Sequence, residues 1–241
     1  MRANPRKPNP VVTRWLRAEC EGGDEQAGPD WETWLLRRMN AGAILDIDGL
    51  FVDRAVVEQR FACVPERCAP GPGRGRWRSC CADAEVTLSP AELRRLRRHQ
   101  RVLAPALIGR EPRLAGCGSD FWRAHGPSIA RPGGRCAFSQ LDSKGRIRCH
   151  LHAVARGRRL EQSELQPLSC RLFPLIVVDL GAGRTLLTVV AKSTFRLVAT
   201  WPPGRFPCLN DDALPPLHVS MRRDLDWLFG AGFARALAAR G

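Results

Sequence analysis

The cysteines are the residues of this chain whose type and spacing point most clearly to chemistry. Ten occur in 241 residues, and most of them lie in two groups. A thiolate binds soft and borderline cations well, and converging thiolates repel one another unless a cation neutralises them. A single cysteine is more often an inert buried thiol, but a grouped set of this kind predicts metal ligation.

The first group lies in a segment with neither helical nor strand periodicity. Cys63 and Cys68 precede a stretch rich in Pro, Gly and Arg, and the adjacent pair Cys80 and Cys81 follows it. Such a stretch has little apolar surface to bury, so metal binding would substitute for a core in ordering it. Adjacent cysteines do not easily chelate one ion together, which indicates different metals, a polynuclear cluster, or ligation by one of the two.

The second group is associated with a predicted β-hairpin. Cys136 and Cys149 flank two short strands around the turn sequence Asp-Ser-Lys-Gly at 142–145. Cys170 follows in a segment with proline on both sides, which predicts an extended or turning backbone. Because a hairpin brings its two ends together, we expect Cys136 and Cys149 to lie close to one another.

These motifs resemble those of a family of bacterial cysteine-rich proteins related to the YkgJ-like zinc- or iron-chelating group. The resemblance spans roughly residues 44–241, and two signatures carry it. The first comprises Phe61-Ala-Cys63, Cys68, Cys80-Cys81 and Leu88-Ser-Pro-Ala-Glu92. The second comprises Cys136-Ala-Phe138, Gly145, Cys149 and Pro167-Leu-Ser-Cys170-Arg-Leu-Phe-Pro174, and a late cysteine, Cys208, precedes a C-terminal helix as in the family.

What the resemblance implies is metal chelation by thiolates, without a defined reaction. The implied ligands are Cys63, Cys68, Cys80, Cys81, Cys136, Cys149, Cys170 and Cys208. Such ligation suits both zinc and a 4Fe–4S iron–sulfur cluster, and the adjacent pair with its irregular spacing slightly favours the cluster. Eleven residues separate Cys68 from Cys80, more than the family usually has, so Cys68 is the weakest match. Cys20 and Cys117 match nothing in the pattern and are predicted not to be ligands.

Other polar residues near these groups are predicted to have structural roles. His150 and His152 come just after Cys149 and could complete a mixed site, but neither matches a ligand position of the resembled family, so both are predicted to be partly exposed. Asp83 and Glu85 follow the adjacent pair and are interpreted as loop carboxylates that balance arginines, rather than as general bases or groups that orient ligands. Catalytic residues stay unassigned.

A short stretch, Val177-Val-Asp-Leu-Gly181-Ala-Gly183, resembles the first cofactor motif of S-adenosylmethionine-dependent methyltransferases. In those enzymes the glycines let the backbone approach the cofactor at a strand-to-helix turn. Here Leu186-Leu-Thr-Val-Val190 continues as a strand, so the glycines predict a hairpin turn. Flagellin lysine-N-methylases carry a similar cysteine arrangement, which leaves a cluster-dependent protein-modifying enzyme of that type as an alternative function.

The charge of the chain is strongly positive. The net charge is +14, and only three of the 38 basic residues are lysine, a balance that attracts polyanions. The arginines are dispersed except along a predicted helix with the capping box Ser89-Pro90-Ala91-Glu92. Its buried stripe would be Leu93, Leu96 and Leu103, with Arg94, Arg95, Arg97, Arg98 and Arg101 largely outside it. Aromatic residues are not interleaved with these arginines, so the arginine face of the helix is predicted to be solvated rather than bound to nucleic acid. An Arg-rich nucleic-acid-binding zinc protein is the second alternative function.

The remaining sequence predicts a single loop-rich α+β domain, with short hairpins and a few helices organised around a cysteine metal site. Residues 1–43 are predicted to form an N-terminal helical or irregular extension, and residues 44–241 the cysteine-rich metal-binding domain. The strongest hairpin signal is Asp48-Gly49 between two apolar runs. Residues 105–134 are predicted to be irregular with possible short helices, and a final helix is predicted around 221–239.

The expected location is the cytoplasm. The N-terminal residues lack the apolar region of a signal peptide, and the longest apolar run, Leu172–Leu180, contains Pro174 and Asp179, so no membrane association is expected. An unidentified protein partner stays open. Taken together, the sequence predicts a metal-chelating protein with a redox, accessory or structural-metal role.

Overall fold

The structure, a computed structural model, describes residues 31–64, 67, 79–83, 86–109, 111, 114, 121, 128–198 and 202–240. Within these ranges the chain is a mixture of helices and two small β-sheets, which confirms the mixed α and β composition of the predicted class. None of the described helices is both long and apolar enough to cross a lipid bilayer.

The elements follow one another in chain order. The helices are α1 (Trp31–Asn40), α2 (Ala55–Glu58), α3 (Cys80–Asp83), α4 (Pro90–Ile108), α5 (His150–Gly157), α6 (Gln162–Leu165), α7 (Leu168–Leu172), α8 (Leu217–Ser220), α9 (Arg222–Phe229) and α10 (Phe233–Ala238). The strands are β1 (Ile44–Ile47), β2 (Leu50–Asp53), β3 (Ser139–Leu141), β4 (Ile147–Cys149), β5 (Leu175–Asp179) and β6 (Thr185–Val189). Short 3-10 turns occur at Pro132–Gly134, Pro203–Arg205 and Pro207–Leu209.

The fold divides into two compact units, whereas the sequence predicts a single domain. Unit one comprises Met1–Cys63, Pro174–Gly204 and Cys208–Gly241, and unit two comprises Val64–Phe173 and Arg205–Pro207. Unit two is therefore an insertion in the sequence of unit one, a topology that no local pattern encodes. The boundary after residue 43 stays a prediction, and residues 1–30 of the predicted extension lie outside the described residues.

Unit one is built on a sheet of strand order β1-β2-β6-β5. The β1–β2 and β5–β6 pairs are antiparallel hairpins, and β2 and β6 join the two hairpins in parallel. The predicted turn at Asp48 and Gly49 is confirmed: both residues have positive φ, 53° and 83°, as a two-residue hairpin turn with the right twist requires. Leu50, Val52 and Leu187 are completely buried in this sheet.

The stretch that resembles a methyltransferase motif forms the turn of the β5–β6 hairpin, as predicted. Gly181, Ala182 and Gly183 all have positive φ, between 50° and 75°. Leu180 N donates to Arg184 O at 3.0 Å, which closes the turn. The chain therefore returns directly into β6 and does not enter a helix.

The C-terminal helical segment is broken, although the sequence predicts one helix. α9 ends at Phe229 and α10 begins at Phe233. Between them Gly230 and Gly232 have φ values of 97° and 81°, conformations that interrupt a helix and that glycine adopts with the least strain. The break lets both phenylalanines be buried, with ring centroids 4.8 Å apart.

Unit two contains the longest helix, α4, and the predicted capping box forms its start. Ser89 Oγ accepts a hydrogen bond from Glu92 N, and Glu92 Oε2 accepts one from Ser89 N at 2.9 Å. On one face Leu96 and Leu103 are completely buried. On the opposite face four arginines are exposed, at positions 94, 97, 98 and 101.

The helix continues further than the sequence predicts. An irregular chain was expected from Pro105 onward, but α4 runs to Ile108. A proline in the last turn removes only one helical hydrogen bond, and Leu107 in the same turn is completely buried. Burial of that side chain offsets the lost bond.

The second sheet, also in unit two, is the predicted hairpin. β3 and β4 pair in antiparallel register with Ser139 opposite Cys149 and Leu141 opposite Ile147. The predicted turn or extended chain around Cys170 is wrong, because residues 168–172 form helix α7. Pro167 is compatible with this helix since it precedes the first helical residue, where no N–H is needed.

Candidate metal centre

Five cysteines of unit two form a thiol cluster: Cys80, Cys81, Cys136, Cys149 and Cys170. They come from three parts of the chain, namely α3, the β3–β4 hairpin and α7. The last four belong to, or pack against, one and the same hydrophobic cluster of buried residues. The three sequence segments singled out for their cysteines therefore converge on one core.

The thiols of this cluster lie within electrostatic reach of one another. A hydrogen bond with Cys80 and burial raise the pKa of the Cys81 thiol well above its usual value. The charges of Cys80, Cys149 and Cys136 raise the same pKa further. Neighbouring negative charges disfavour ionisation of a thiol.

The Cys170 thiol has a similar environment. Burial raises its pKa most, and the charges of Cys136, Cys80 and Cys149 add to that effect, followed by the Glu92 carboxylate. With pKa values well above the usual range, both Cys81 and Cys170 carry their protons at neutral pH. A bound cation would have to displace these protons.

Backbone hydrogen bonds tie the first cysteine segment to the hairpin. Cys136 N donates to Cys81 O at 2.7 Å. Cys136 O accepts from Ser139 N at 2.9 Å and from Ser139 Oγ at 2.7 Å. Ser139 lies opposite Cys149 in the sheet register. These hydrogen bonds therefore connect Cys81, Cys136 and Cys149, and they explain why Cys136 and Cys149 are near one another.

A buried ion pair also contacts the β3–β4 hairpin. Arg135 Nη2 lies 2.5 Å from Glu111 Oε2, and both side chains are about 5% exposed. Arg135 Nη1 donates to Ser139 O and Oγ at 3.0 Å each, and Glu111 Oε1 accepts from Leu141 N at 2.7 Å. Neither charged residue was predicted from the sequence, since nothing in their local sequence separates them from the many other arginines and carboxylates.

A second buried carboxylate reaches α7. Glu92, 5% exposed, accepts from Leu168 N through Oε1 at 2.7 Å. Its other oxygen, Oε2, accepts from Ser89 N and Oγ, each at 2.9 Å. The sequence identified Glu92 only as a capping residue of its own helix; its contact with Leu168 joins residues that are 76 positions apart.

The eight predicted ligands are distributed between the two units. The thiol cluster of unit two holds five of them. Cys63, which is exposed, and Cys208, which is buried, belong to unit one. Cys68 lies outside the described residues, as do Cys20 and Cys117, which were predicted not to be ligands.

The predictions for the neighbouring polar residues have mixed outcomes. His150 is 3% exposed, so the prediction of a partly exposed side chain is wrong for it, whereas His152 is exposed. His150 is the first residue of α5 and turns its ring into the core, with Nδ1 3.3 Å from Gln140 Oε1. Glu85 and the side chain of Asp83 lie outside the described part of the structure.

The thiols of this cluster are suitable ligands for zinc and for iron–sulfur clusters. None of the seven described cysteines forms a disulfide bond, and apolar residues surround the cluster. Among the residues that the structure describes, however, no group of three or more Cys, His, Asp or Glu side chains is spaced so that it could hold a metal ion. Sulfurs that share an ion sit about 2.3 Å from it, so ligation would require these thiols to move closer together.

Comparison with known proteins adds no assignment. No protein-family model, no curated protein and no solved structure matches this chain with significance.

Proposed function

We propose that the protein chelates a metal centre, an iron–sulfur cluster or zinc, through the thiol cluster of unit two. The ligands are Cys81, Cys136, Cys149 and Cys170, with Cys80 as a fifth thiol hydrogen-bonded beside them. The observation that carries this proposal is that all four cysteines belong to, or pack against, one hydrophobic cluster, with Cys136 N donating to Cys81 O at 2.7 Å. The resemblance of the cysteine motifs to the YkgJ-like group supports the same function.

A bound cation would compensate the negative charge of these thiolates. Several thiolates in apolar surroundings repel one another and are poorly solvated, so without a cation the thiols stay protonated. A bound divalent ion or iron–sulfur core replaces the protons and turns the repulsion into attraction. The free energy of binding would then hold α3, the β3–β4 hairpin and α7 together.

A metal site of this kind would join segments that are distant in the sequence. A zinc ion would be purely structural, whereas an iron–sulfur centre would in addition exchange electrons. The sequence raised two alternatives, and both rest on sequence observations alone. One is a protein-modifying enzyme of the methylase type, and the other is an Arg-rich nucleic-acid-binding zinc protein. The Gly181–Gly183 turn lends no support to the former, because it connects two strands.

Anaerobic purification with elemental analysis and a visible spectrum tests the proposal. Brown protein with iron and acid-labile sulfide identifies a cluster, and colourless protein with stoichiometric zinc identifies a clasp. Cys149→Ser is expected to lose most of the metal. Cys208→Ser, a buried cysteine of unit one, is the matched control and is expected to keep it.

Two results would contradict the proposal. One is wild-type protein that holds neither metal as isolated and takes up neither after anaerobic reconstitution. The other is a Cys149→Ser variant with the metal content of the wild type. Loss of metal from Cys208→Ser as well would show that the ligands are not confined to unit two.

A further inference from the structure

Four exposed arginines form a single stripe along helix α4, here called the arginine stripe. Its members are Arg94, Arg97, Arg98 and Arg101. Because they are spaced by three and four residues, they lie within an arc of about 100° around the helix axis. The stripe is about 10 Å long, at about 1.5 Å of helix per residue, and the buried leucines of α4 lie on the opposite face.

No carboxylate in the described part of the chain forms an ion pair with the arginine stripe. Arginines of the β3–β4 hairpin are compensated, since Arg146 and Arg148 both pair with Asp142. The single acidic residue of α4 is Glu92, which is 5% exposed and lies near Arg95, a half-buried residue outside the stripe. The positive charge of the stripe is therefore directed to solvent without a counter-charge.

Uncompensated charges at this spacing repel one another. Each arginine of the stripe has two others three or four residues away, a separation at which like charges destabilise a helix. The net charge of +14 adds a general repulsion that an anionic partner would relieve. The sequence favours a solvated face; the missing counter-charge is what the structure adds, and it favours a polyanionic partner.

The side chains of α4 fit a phosphate-bearing partner. A guanidinium group can bind a phosphate through two parallel hydrogen bonds. A helix that lies on a lipid surface needs exposed apolar residues, and the centre of a protein interface is usually apolar or aromatic. None of the exposed large hydrophobic residues that the structure describes lies on α4. The helix also contains no Phe, Trp or Tyr on which the bases of a single strand could stack.

We infer that the arginine stripe of α4 binds the phosphate backbone of duplex DNA without reading its sequence. Duplex DNA carries one negative charge per about 1.7 Å of its axis, so about six phosphates lie along a stripe of this length. An α-helix fits the major groove of B-form DNA, whereas the A-form groove of duplex RNA is deep and narrow. The interaction needs no metal, so it is independent of the proposed function and differs from the alternative of a nucleic-acid-binding zinc protein.

Fluorescence anisotropy of a short labelled DNA duplex of mixed sequence, titrated with the full-length chain as purified, tests the inference. Four phosphate contacts give a slope of about −3.6 for log affinity against log salt, so a fourfold rise in salt weakens binding about 150-fold. The stripe variant combines Arg97→Gln, Arg98→Gln and Arg101→Gln, substitutions that keep a similar helix propensity. Its slope should fall to about −0.9, so the same rise in salt weakens binding only about 3- to 4-fold, and its affinity at low salt should be at least about tenfold lower.

The matched control combines Arg156→Gln, Arg158→Gln and Arg159→Gln. These arginines are also exposed and also belong to unit two, but they lie at the end of α5. The control therefore removes the same amount of charge from a different place. Its slope should stay within about one unit of the wild-type value.

Four results would overturn the inference. The first is wild-type protein that does not bind the duplex at low salt, and the second is an unchanged slope in the stripe variant. The third is an equal loss in the control, because binding would then follow total charge. The fourth is tighter binding to single-stranded DNA, duplex RNA, poly-glutamate or phosphatidylserine vesicles than to duplex DNA. Should circular dichroism show the stripe variant unfolded, Arg98→Gln alone takes its place, with an expected change in slope of about 0.9.

Discussion

The buried ion pair between Glu111 and Arg135 offers a sharp test of how the cysteine hairpin is held. Substituting Glu111→Gln removes the negative charge while keeping an oxygen that can still accept from Leu141 N. The Arg135 guanidinium is then left buried without its counter-charge, and it cannot escape by losing a proton. Breaking a buried pair on one side typically costs about 3–5 kcal/mol.

The structure places the expected loss near the lower end of that range. Arg135 keeps two acceptors, Ser139 O and Ser139 Oγ, each at 3.0 Å, so its charge stays partly solvated by the protein. We therefore expect Glu111→Gln to lower the free energy of unfolding by about 3 kcal/mol. Adding Arg135→Met to that variant removes the orphaned charge and should recover about 1–2 kcal/mol.

Equilibrium urea unfolding of the reduced chain measures these changes, and amide exchange at Leu141 assigns them to the hairpin. The matched control is Glu32→Gln, which breaks the exposed pair with Arg184; those side chains are 70% and 51% exposed. An exposed pair contributes little, so this control should lose no more than about 0.5 kcal/mol. The reasoning is refuted if Glu111→Gln costs less than about 1 kcal/mol, or if the double variant is less stable than Glu111→Gln alone.

Two further predictions concern turns. Partial desolvation acts to raise the pKa of Asp142, but hydrogen bonds from Arg146, Lys144 and Arg148 outweigh it and hold that pKa well below its usual value. Its stabilising contribution is thus complete above the ordinary carboxyl pKa and is lost as the pH falls toward the lowered value. The protection of amides in the β3–β4 hairpin, relative to the intrinsic exchange rate at each pH, should therefore fall below about pH 4 in wild type, and much less with Asp142→Asn. Gly183, at φ +75° in open space, should cost about 1–2 kcal/mol when replaced by Ala in thermal unfolding, because only the backbone conformation is penalised. Gly157→Ala, where φ is negative and space is also open, is the control, and an equal loss there would remove the conformational explanation.

Local sequence signals predicted the local elements well. The Asp48-Gly49 turn, the capping box at Ser89, the hairpin between Cys136 and Cys149 and the Gly181–Gly183 turn all form as expected. Each of these depends on a few neighbouring residues whose conformational preference or capping bond is satisfied within a single turn of chain. Such signals need no information about distant parts of the molecule.

The errors occurred where burial overrides local preference. Pro105 was expected to end α4, but the burial of Leu107 carries the helix past it. The C-terminal helix was expected to be continuous, but the glycines at 230 and 232 break it and allow both flanking phenylalanines to be buried. His150 was predicted to be partly exposed because it matches no ligand position of the resembled family, but it is buried.

The amino-acid sequence was enough to single out the cysteines, to divide most of them into two groups, and to predict the hairpin that brings Cys136 and Cys149 together. The tertiary structure shows that four of the eight predicted ligands, Cys81, Cys136, Cys149 and Cys170, belong to or pack against one hydrophobic cluster, whereas Cys63 and Cys208 belong to unit one. It also revealed the supports of that core, the Glu111–Arg135 pair and the bond from Glu92 to Leu168. The physical reason is that a charged side chain becomes a structural tie only when distant segments exclude water from it, and that exclusion is a property of the folded chain rather than of any stretch of sequence.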